Sequence, residues 1–127
     1  MQTLTIKAQD QVGGICTSGF GGRSFTLGVA EAVTVLAKTA ATADAFATHL
    51  ANHTRVDSPR IQRKLAGEID PFSDIAQLAV TTQVGSLTQA EIHIALQNFS
   101  KAAKVAHFHS HIIGSYAYMK GQEKVGK

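Results

Sequence analysis

The sequence lacks tryptophan altogether, and aromatic residues make up only 6% of the chain. Its basic residues are mostly scattered and give a formal net charge of +3, so neither a stacking platform nor a basic stripe is available for nucleic acid. The single cysteine, Cys16, excludes an intramolecular disulfide and a zinc site built from several cysteines. These shortages argue against a nucleic-acid-binding protein and against a disulfide-stabilised or cysteine-zinc domain.

Long apolar runs are also missing. No stretch approaches the roughly 18 apolar residues that a transmembrane helix needs. The first ten residues alternate like a strand instead of forming the apolar block of a signal peptide. We therefore expect no membrane association and a cytoplasmic location.

With 127 residues, 44% of them hydrophobic, the chain is expected to form a single domain over residues 1–127 with one core.

The periodicity of the apolar residues predicts both strands and helices. Strands are expected over residues 3–9, 15–18, 32–37, 78–84 and 112–120, and a further short strand over residues 24–27. Apolar spacings of three and four predict a helix over residues 41–52, with Thr39 or Thr42 as its cap. The same spacings predict a longer helix over residues 88–107.

The start of the longer helix carries the clearest local signal. Thr88 and Glu91 form a capping box, in which a hydroxyl and a carboxylate each satisfy a free backbone N–H. Pro59 suits the first turn of a short helix over residues 59–65, and the tail after residue 120 is expected to fray. Together these elements predict an α+β fold, a two-layer arrangement in which helices pack on one face of a largely antiparallel sheet.

The glycine-rich turn over residues 13–23 is the first candidate site. The expected contacts are Thr17, Ser18, Gly19 and Arg23, because backbone N–H groups and a guanidinium suit a phosphate or another anion. The alternative is a β-turn whose glycines supply positive φ angles.

Asp44 and Thr48 form the second candidate site. They lie four residues apart on the first predicted helix, so they are neighbours on its surface, beside the apolar stripe, where a side chain can be half-buried. A carboxylate with a hydroxyl is hard-oxygen chemistry that suits Mg²⁺. The alternative is an aspartate favoured by the helix dipole and a threonine that bonds back to a carbonyl.

Three further residues near these motifs have chemically active side chains. Cys16 is either a nucleophile or, as single cysteines usually are, a small buried hydrophobe. His49 and His53 are four residues apart and form a candidate metal pair, although the glutamate of an HExxH motif is missing. Both project from a different side of the helix than Asp44 and Thr48.

Two polar groups in the second half of the chain are also candidates. Three histidines alternate ahead of the last predicted strand: His107, His109 and His111. In an extended segment all three face one side and suit zinc or nickel, whereas in a helix they spread around the axis and the site disappears. Asp70, Ser73 and Asp74 indicate an Asx-type turn, with a role in a site as the alternative.

Two motifs carry a resemblance to a known family. Residues 14–19, GICTSG, are similar to a turn written (A)TSG, and residues 43–48, ADAFAT, are similar to a helix written ADA(L/F)(S/A)T. Both belong to the ApbE-like proteins, relatives of the FAD:protein FMN transferases. A shorter, uncharacterised branch also resembles residues 18–28, 57–59 and 69–74. The order and spacing of these stretches together make the resemblance fairly specific.

The resemblance implies a T-fold-like domain that corresponds to the carboxy-terminal half of the family. It implies that Asp44 and Thr48 hold a Mg²⁺ ion that serves the pyrophosphate of a flavin dinucleotide. The transferases place a His-(I/L)-(I/L)-Asp-Pro segment between the two motifs, and this interval lacks it. Family members are also much longer than this chain, so the expected assembly is a homo-oligomer or a complex with a separate chain that supplies the amino-terminal half, unless the sequence is a fragment.

The leading hypothesis is a domain that binds a phosphorylated or acidic small molecule at a subunit interface. Mg²⁺ and a flavin nucleotide are the candidate cofactors, and flavin transfer by this chain alone is not expected. Whether the chain is an enzyme stays open. A second hypothesis is a non-catalytic structural subunit that completes an oligomer, and a third is a metalloenzyme built on the three histidines.

Overall fold

The computed structural model describes residues 7, 11–21, 25–109 and 112–126. In chain order, the described elements are β1 (Gly14–Ser18), β2 (Ala32–Ala37), α1 (Ala40–Asn52), β3 (Ile61–Leu65), α2 (Ala66–Ile69), β4 (Ala79–Val84), α3 (Gln89–His109), β5 (Ile112–Met119) and β6 (Gln122–Gly126). The strand predicted over residues 3–9 lies outside the described residues except for Lys7.

The strands form two antiparallel sheets. The larger has the order β1-β2-β5-β6, and the smaller pairs β3 with β4. In the larger sheet Val33 lies opposite Ala117, so both point to the face on which α1 and α3 pack. The predicted α+β fold with helices on one face is confirmed, although the strands are divided between two sheets. Within the described ranges, no helix has the length and apolarity needed to cross a bilayer.

The core lies between the larger sheet and the two long helices. Val35 of β2, Leu50 of α1 and Phe99 of α3 are all 0% exposed. The apolar stripes predicted for the helices are confirmed, because their buried residues are Ala43, Ala47, Leu50 and Ala51 in α1 and Ile92, Ala95, Leu96, Phe99, Ala103 and Ala106 in α3. Because the apolar stripe of α1 packs into the core, the polar side of α1 faces solvent.

Both long helices begin at side-chain caps. Thr39 caps α1, since its Oγ1 accepts a 3.2 Å hydrogen bond from the Thr42 backbone N–H. At α3 the predicted capping box is confirmed: the Thr88 hydroxyl accepts from the Glu91 N–H at 3.1 Å, and the Glu91 carboxylate accepts from the Thr88 N–H at 2.8 Å. The Thr39 cap therefore fixes the residue at which α1 begins, and α1 is the helix that carries the second candidate motif.

The segment that leads into β2 is tied to the end of α1 by Thr54. This residue is 0% exposed, and its hydroxyl donates to the Ala51 carbonyl at 2.7 Å. The same oxygen accepts from the N–H groups of Val29 at 3.2 Å and Ala30 at 3.1 Å. One hydroxyl thus connects the carboxy-terminal turn of α1 to the segment before β2.

Two predictions about the second half of the chain are wrong. Residues 61–65 of the predicted short helix form β3, in which Arg63 turns inward and donates to the Leu27 carbonyl at 2.8 Å and to the Thr81 hydroxyl at 3.1 Å. The tail does not fray but forms β6 against β5. Lys120 and Gly121, with φ angles of 50° and 80°, make the kind of turn that favours such a hairpin.

The short strand predicted over residues 24–27 is also wrong within its described part. Residues 25–27 are not in a strand, and residue 24 lies outside the described residues. The Leu27 N–H donates instead to the Asn52 side chain at 2.9 Å. This segment is therefore held by the end of α1, by Arg63 and by a backbone hydrogen bond in which the Thr81 N–H of β4 donates to the Thr26 carbonyl at 2.9 Å.

Candidate functional site

The two motifs of the family resemblance meet where β1 packs against α1. Ser18 ends β1, and its Oγ shares a 3.3 Å hydrogen bond with the Oγ1 of Thr48 on α1. Asp44 lies one helical turn before Thr48, on the same side of the helix. We call Ser18, Asp44 and Thr48 the β1–α1 junction.

The close approach of the two elements depends on glycine. A Cβ added at Gly14 would overlap the backbone of Thr39 and Ala40 at the start of α1. Glycine at this position lets the first turn of α1 lie directly against β1. This contact places the first motif, on β1, directly next to the second motif, on α1.

The junction offers three oxygen-bearing side chains, and two of them face solvent. Asp44 and Thr48 are exposed, rather than half-buried as expected from the helical wheel, whereas Ser18 is partly buried. A carboxylate with two hydroxyls is a hard-oxygen donor set of the kind that fits Mg²⁺. Among the described residues, no three histidine, cysteine or acidic side chains are grouped so that they could hold a metal ion. Any ion at this junction therefore needs further oxygen ligands from water, a ligand or another chain.

Thr17 does not join this site. Side chains alternate along a strand, and Thr17 points to the face of the sheet opposite Ser18. Its Oγ1 shares a 2.8 Å hydrogen bond with the Oγ1 of Thr34 on β2. Of the predicted anion contacts, the structure therefore brings Ser18, and not Thr17, to α1.

The glycine-rich turn uses its amides internally. Gly19 is buried with a φ of 138°, and a Cβ there would lie 2.8 Å from the carbonyl oxygens of Ala30 and Glu31. The N–H groups of Phe20 and Gly21 donate to those same two carbonyls at 2.8 and 2.9 Å. Their two N–H groups are thus engaged within the protein, which favours the β-turn alternative for this part of the motif. Arg23 lies outside the described residues.

Cys16 lies beside the junction as a packing residue. It is partly buried against the core, and its thiol contacts the Ala40 carbonyl at 3.9 Å. This position matches a small hydrophobe better than an exposed nucleophile.

The histidines near the end of α3 take the helical alternative. His107 and His109 both belong to α3, so the segment is not extended there, and His111 lies outside the described residues. His107 Nε2 shares a 3.0 Å hydrogen bond with the hydroxyl of Ser115, which is 0% exposed. Burial lowers the pKa of His107, so its neutral form satisfies a buried hydroxyl.

The predicted Asx-type turn is present. The Asp70 carboxylate accepts from the Phe72 N–H at 3.0 Å, and the Ser73 hydroxyl accepts from the Ile75 N–H at 3.3 Å. These bonds account for Asp70 and Ser73 as turn residues. Asp74 is exposed in the same turn.

Sequence reasoning missed a groove between α1 and α3, which we call the α1–α3 groove. One wall consists of His49, His53 and Arg55, and the other of Asn98, Lys101, Ala102 and Val105. Its volume is about 420 Å³. The histidine spacing was a partial signal, but nothing local in the sequence connects these residues with Lys101, nearly fifty positions further along.

Comparison with known proteins places the chain in a family. Over 70 residues it is 44% identical to a UPF0280 protein of Methanopyrus kandleri, an alignment that covers 53% of this chain and 29% of that protein. No solved structure matches the chain. A family model described as "AbpE bacteria" matches residues 1–125. The chain therefore belongs to the AbpE bacteria family.

Proposed function

We propose that this chain is an ApbE-like domain that binds a phosphorylated or acidic small molecule together with Mg²⁺ at the β1–α1 junction. A flavin nucleotide is the candidate ligand. The observation that carries the proposal is the 3.3 Å hydrogen bond between Ser18 and Thr48. It joins the two motifs that resemble the ApbE-like proteins, although they lie thirty positions apart in the sequence.

The chemistry of the junction supports Mg²⁺ as the cation. Asp44 would hold the ion through its carboxylate, and the hydroxyls of Thr48 and Ser18 would act as neutral oxygen ligands. Mg²⁺ commonly keeps several waters and is held by one or two carboxylates plus the phosphates of its substrate. A single exposed carboxylate therefore suits an ion that arrives with a phosphorylated ligand better than a permanently enclosed metal.

The exposure of the junction supports completion of the pocket by another chain. Among the described strands, β1 stands at one end of the larger sheet, next to the exposed Asp44 and Thr48. The curated relative extends well beyond the matched region, which covers 29% of its length. We propose that a second copy or a separate partner chain supplies the missing walls. Flavin transfer by this chain alone is not part of the proposal.

A second candidate function is a structural subunit without a ligand site of its own. It is favoured by the engaged amides of Phe20 and Gly21 and by the placement of Thr17 on the other face of the sheet. In that case the exposed Asp44 is only a solvated helix residue.

Titration of the full chain with FAD, with and without Mg²⁺, distinguishes the two candidates through flavin fluorescence. The proposal predicts tighter binding with Mg²⁺ and a dissociation constant raised roughly tenfold or more in Asp44→Asn, as for loss of an important metal-site group. Asp74→Asn is the matched control, because it removes an exposed carboxylate from the turn after α2 and should bind like the wild type. Equal affinity with and without Mg²⁺, or unchanged affinity in Asp44→Asn, would contradict the proposal.

A further inference from the structure

The α1–α3 groove is independent of the β1–α1 junction. His49 follows Thr48 on α1, so the two side chains are about 100° apart around the helix axis. The groove is open to solvent and its volume of about 420 Å³ falls within the range typical of small-molecule sites, about 300–1,000 Å³. It is therefore large enough for a compact organic ligand.

The charges of the groove select for an anion. Among the described residues that line it, the titratable and charged ones are His49, His53, Arg55 and Lys101, and none of them is a carboxylate. Burial lowers the pKa of Arg63, the positive charge of Arg55 lowers it further, and the carboxylate of Asp57 acts in the opposite direction. Two fixed positive charges repel a metal ion, so the histidine pair is better placed to bind an anion than a cation.

The two imidazoles are held in a defined arrangement. Their ring centroids are 4.4 Å apart, and the ring of Phe46 meets His49 edge-on at 5.9 Å. His53 Nδ1 lies 2.8 Å from the His49 carbonyl oxygen, which can only accept, so Nδ1 carries a proton. Because Nδ1 is engaged with this carbonyl, His53 can contact an anion in the groove only through Nε2.

The α3 wall of the groove includes apolar surface, and the opposite segment is anchored. Ala102 and the half-exposed Val105 present hydrocarbon from α3. The Asn98 side chain donates to the Arg55 carbonyl at 2.7 Å, which fixes the segment after α1 against α3. This bond sets the width of the groove before any ligand arrives, and such preorganisation lowers the cost of binding.

We propose that the α1–α3 groove binds a small organic phosphate without a metal ion. The phosphate is held by Arg55, Lys101 and the imidazoles, and the apolar part of the ligand lies along Ala102 and Val105. The site is separate from the proposed Mg²⁺ site and does not depend on it.

The test is an NMR titration of the full chain with phenyl phosphate in metal-free buffer, followed through the histidine ring signals. We expect saturable shifts of the His49 and His53 ring signals as phenyl phosphate is added. Lys101→Gln should raise the dissociation constant roughly fivefold, as for loss of one partly solvated charge contact. Inorganic phosphate should bind more weakly than phenyl phosphate, because it lacks the apolar part.

Lys104→Gln is the matched control, since it removes an exposed lysine of α3 that does not line the groove. This variant should leave the affinity for phenyl phosphate unchanged. Asp44→Asn should leave it unchanged as well, so failure of the magnesium proposal and failure of this one are distinguishable. Absence of saturable shifts at His49 and His53 would overturn the proposal. Equal losses in Lys101→Gln and Lys104→Gln would overturn it as well, since they would indicate attraction by overall charge.

Discussion

Replacement of Thr54 by valine should destabilise the fold, because it removes a buried hydroxyl without changing the size of the side chain. The Ala30 N–H would lose its acceptor at 3.1 Å, and the Ala51 carbonyl would lose a donor at 2.7 Å. The Val29 N–H keeps the Thr54 carbonyl at 2.8 Å, so only one buried donor is orphaned.

The magnitude follows from these bonds. An orphaned buried N–H costs about 1–3 kcal/mol, and the lost hydroxyl–carbonyl bond contributes about 1 kcal/mol. The additional buried methyl group of valine returns about 0.8 kcal/mol. The expected loss in the free energy of unfolding is therefore about 2 kcal/mol, which is a substantial part of the 5–15 kcal/mol of a typical domain.

Urea denaturation followed by circular dichroism measures this loss. Thr54→Ser is the matched control, because it keeps the hydroxyl and loses one buried methyl group, at a cost of about 1 kcal/mol. We expect the order wild type, Thr54→Ser, Thr54→Val in decreasing stability. If Thr54→Val were as stable as Thr54→Ser or more so, the hydroxyl would not be the connection between α1 and the segment before β2.

Two further stability predictions concern α3. Thr88→Ala removes its N-terminal cap and should lower the free energy of unfolding by about 1 kcal/mol, measured by urea denaturation. Burial lowers the pKa of His107 from its ordinary value of 6.5. As the pH falls, His107 is therefore protonated at a higher pH in the unfolded chain than in the folded chain. The contribution of neutral His107 to the free energy of unfolding is fully present above about pH 6.5 and is lost as the pH falls through the folded-state pKa. His107→Gln should therefore weaken the decline in stability between pH 7 and pH 5, measured by the same method.

Each of these predictions has an outcome that would contradict it, and the first also has a control variant. For Thr88→Ala it is the exposed Ser86→Ala, which should stay within about 0.5 kcal/mol of the wild type. Equal effects of the two changes would show that the cap contributes nothing. The lowered pKa of His49 acts in the same direction, so His107→Gln should reduce the pH dependence without abolishing it. A pH profile identical to that of the wild type would contradict the lowering of the His107 pKa by burial.

Elements whose signals are local could be predicted from the sequence. The β-branched run of β2 has the bounds expected, and the capping box of α3 forms because both of its partners lie within one turn. The interpretation of Pro59 as a helix start was wrong, because pairing with β4 and the inward bonds of Arg63 favour a strand. These bonds reach residues far away in the sequence, so no local pattern reports them.

The candidate sites likewise include features with a local sequence signal and features that depend on contacts between residues far apart in the sequence. No local pattern in the sequence indicates that Ser18 and Thr48 meet, since their contact depends on the packing of α1 against β1. The separation of Thr17 from Ser18 follows from strand alternation and was available from the sequence. The α1–α3 groove was not available from the sequence, because only the packing of α3 against α1 brings Lys101 and His49 to the same groove.

Native mass spectrometry of the protein, purified without chelator, tests the central claim most directly. The account predicts an assembly of this chain, with itself or with a partner, that carries Mg²⁺ and a nucleotide-sized mass. In Asp44→Asn the assembly should persist while the bound mass is lost. A wild-type chain that appears only as a bare monomer, or an assembly whose bound mass is unaffected by Asp44→Asn, would contradict the account.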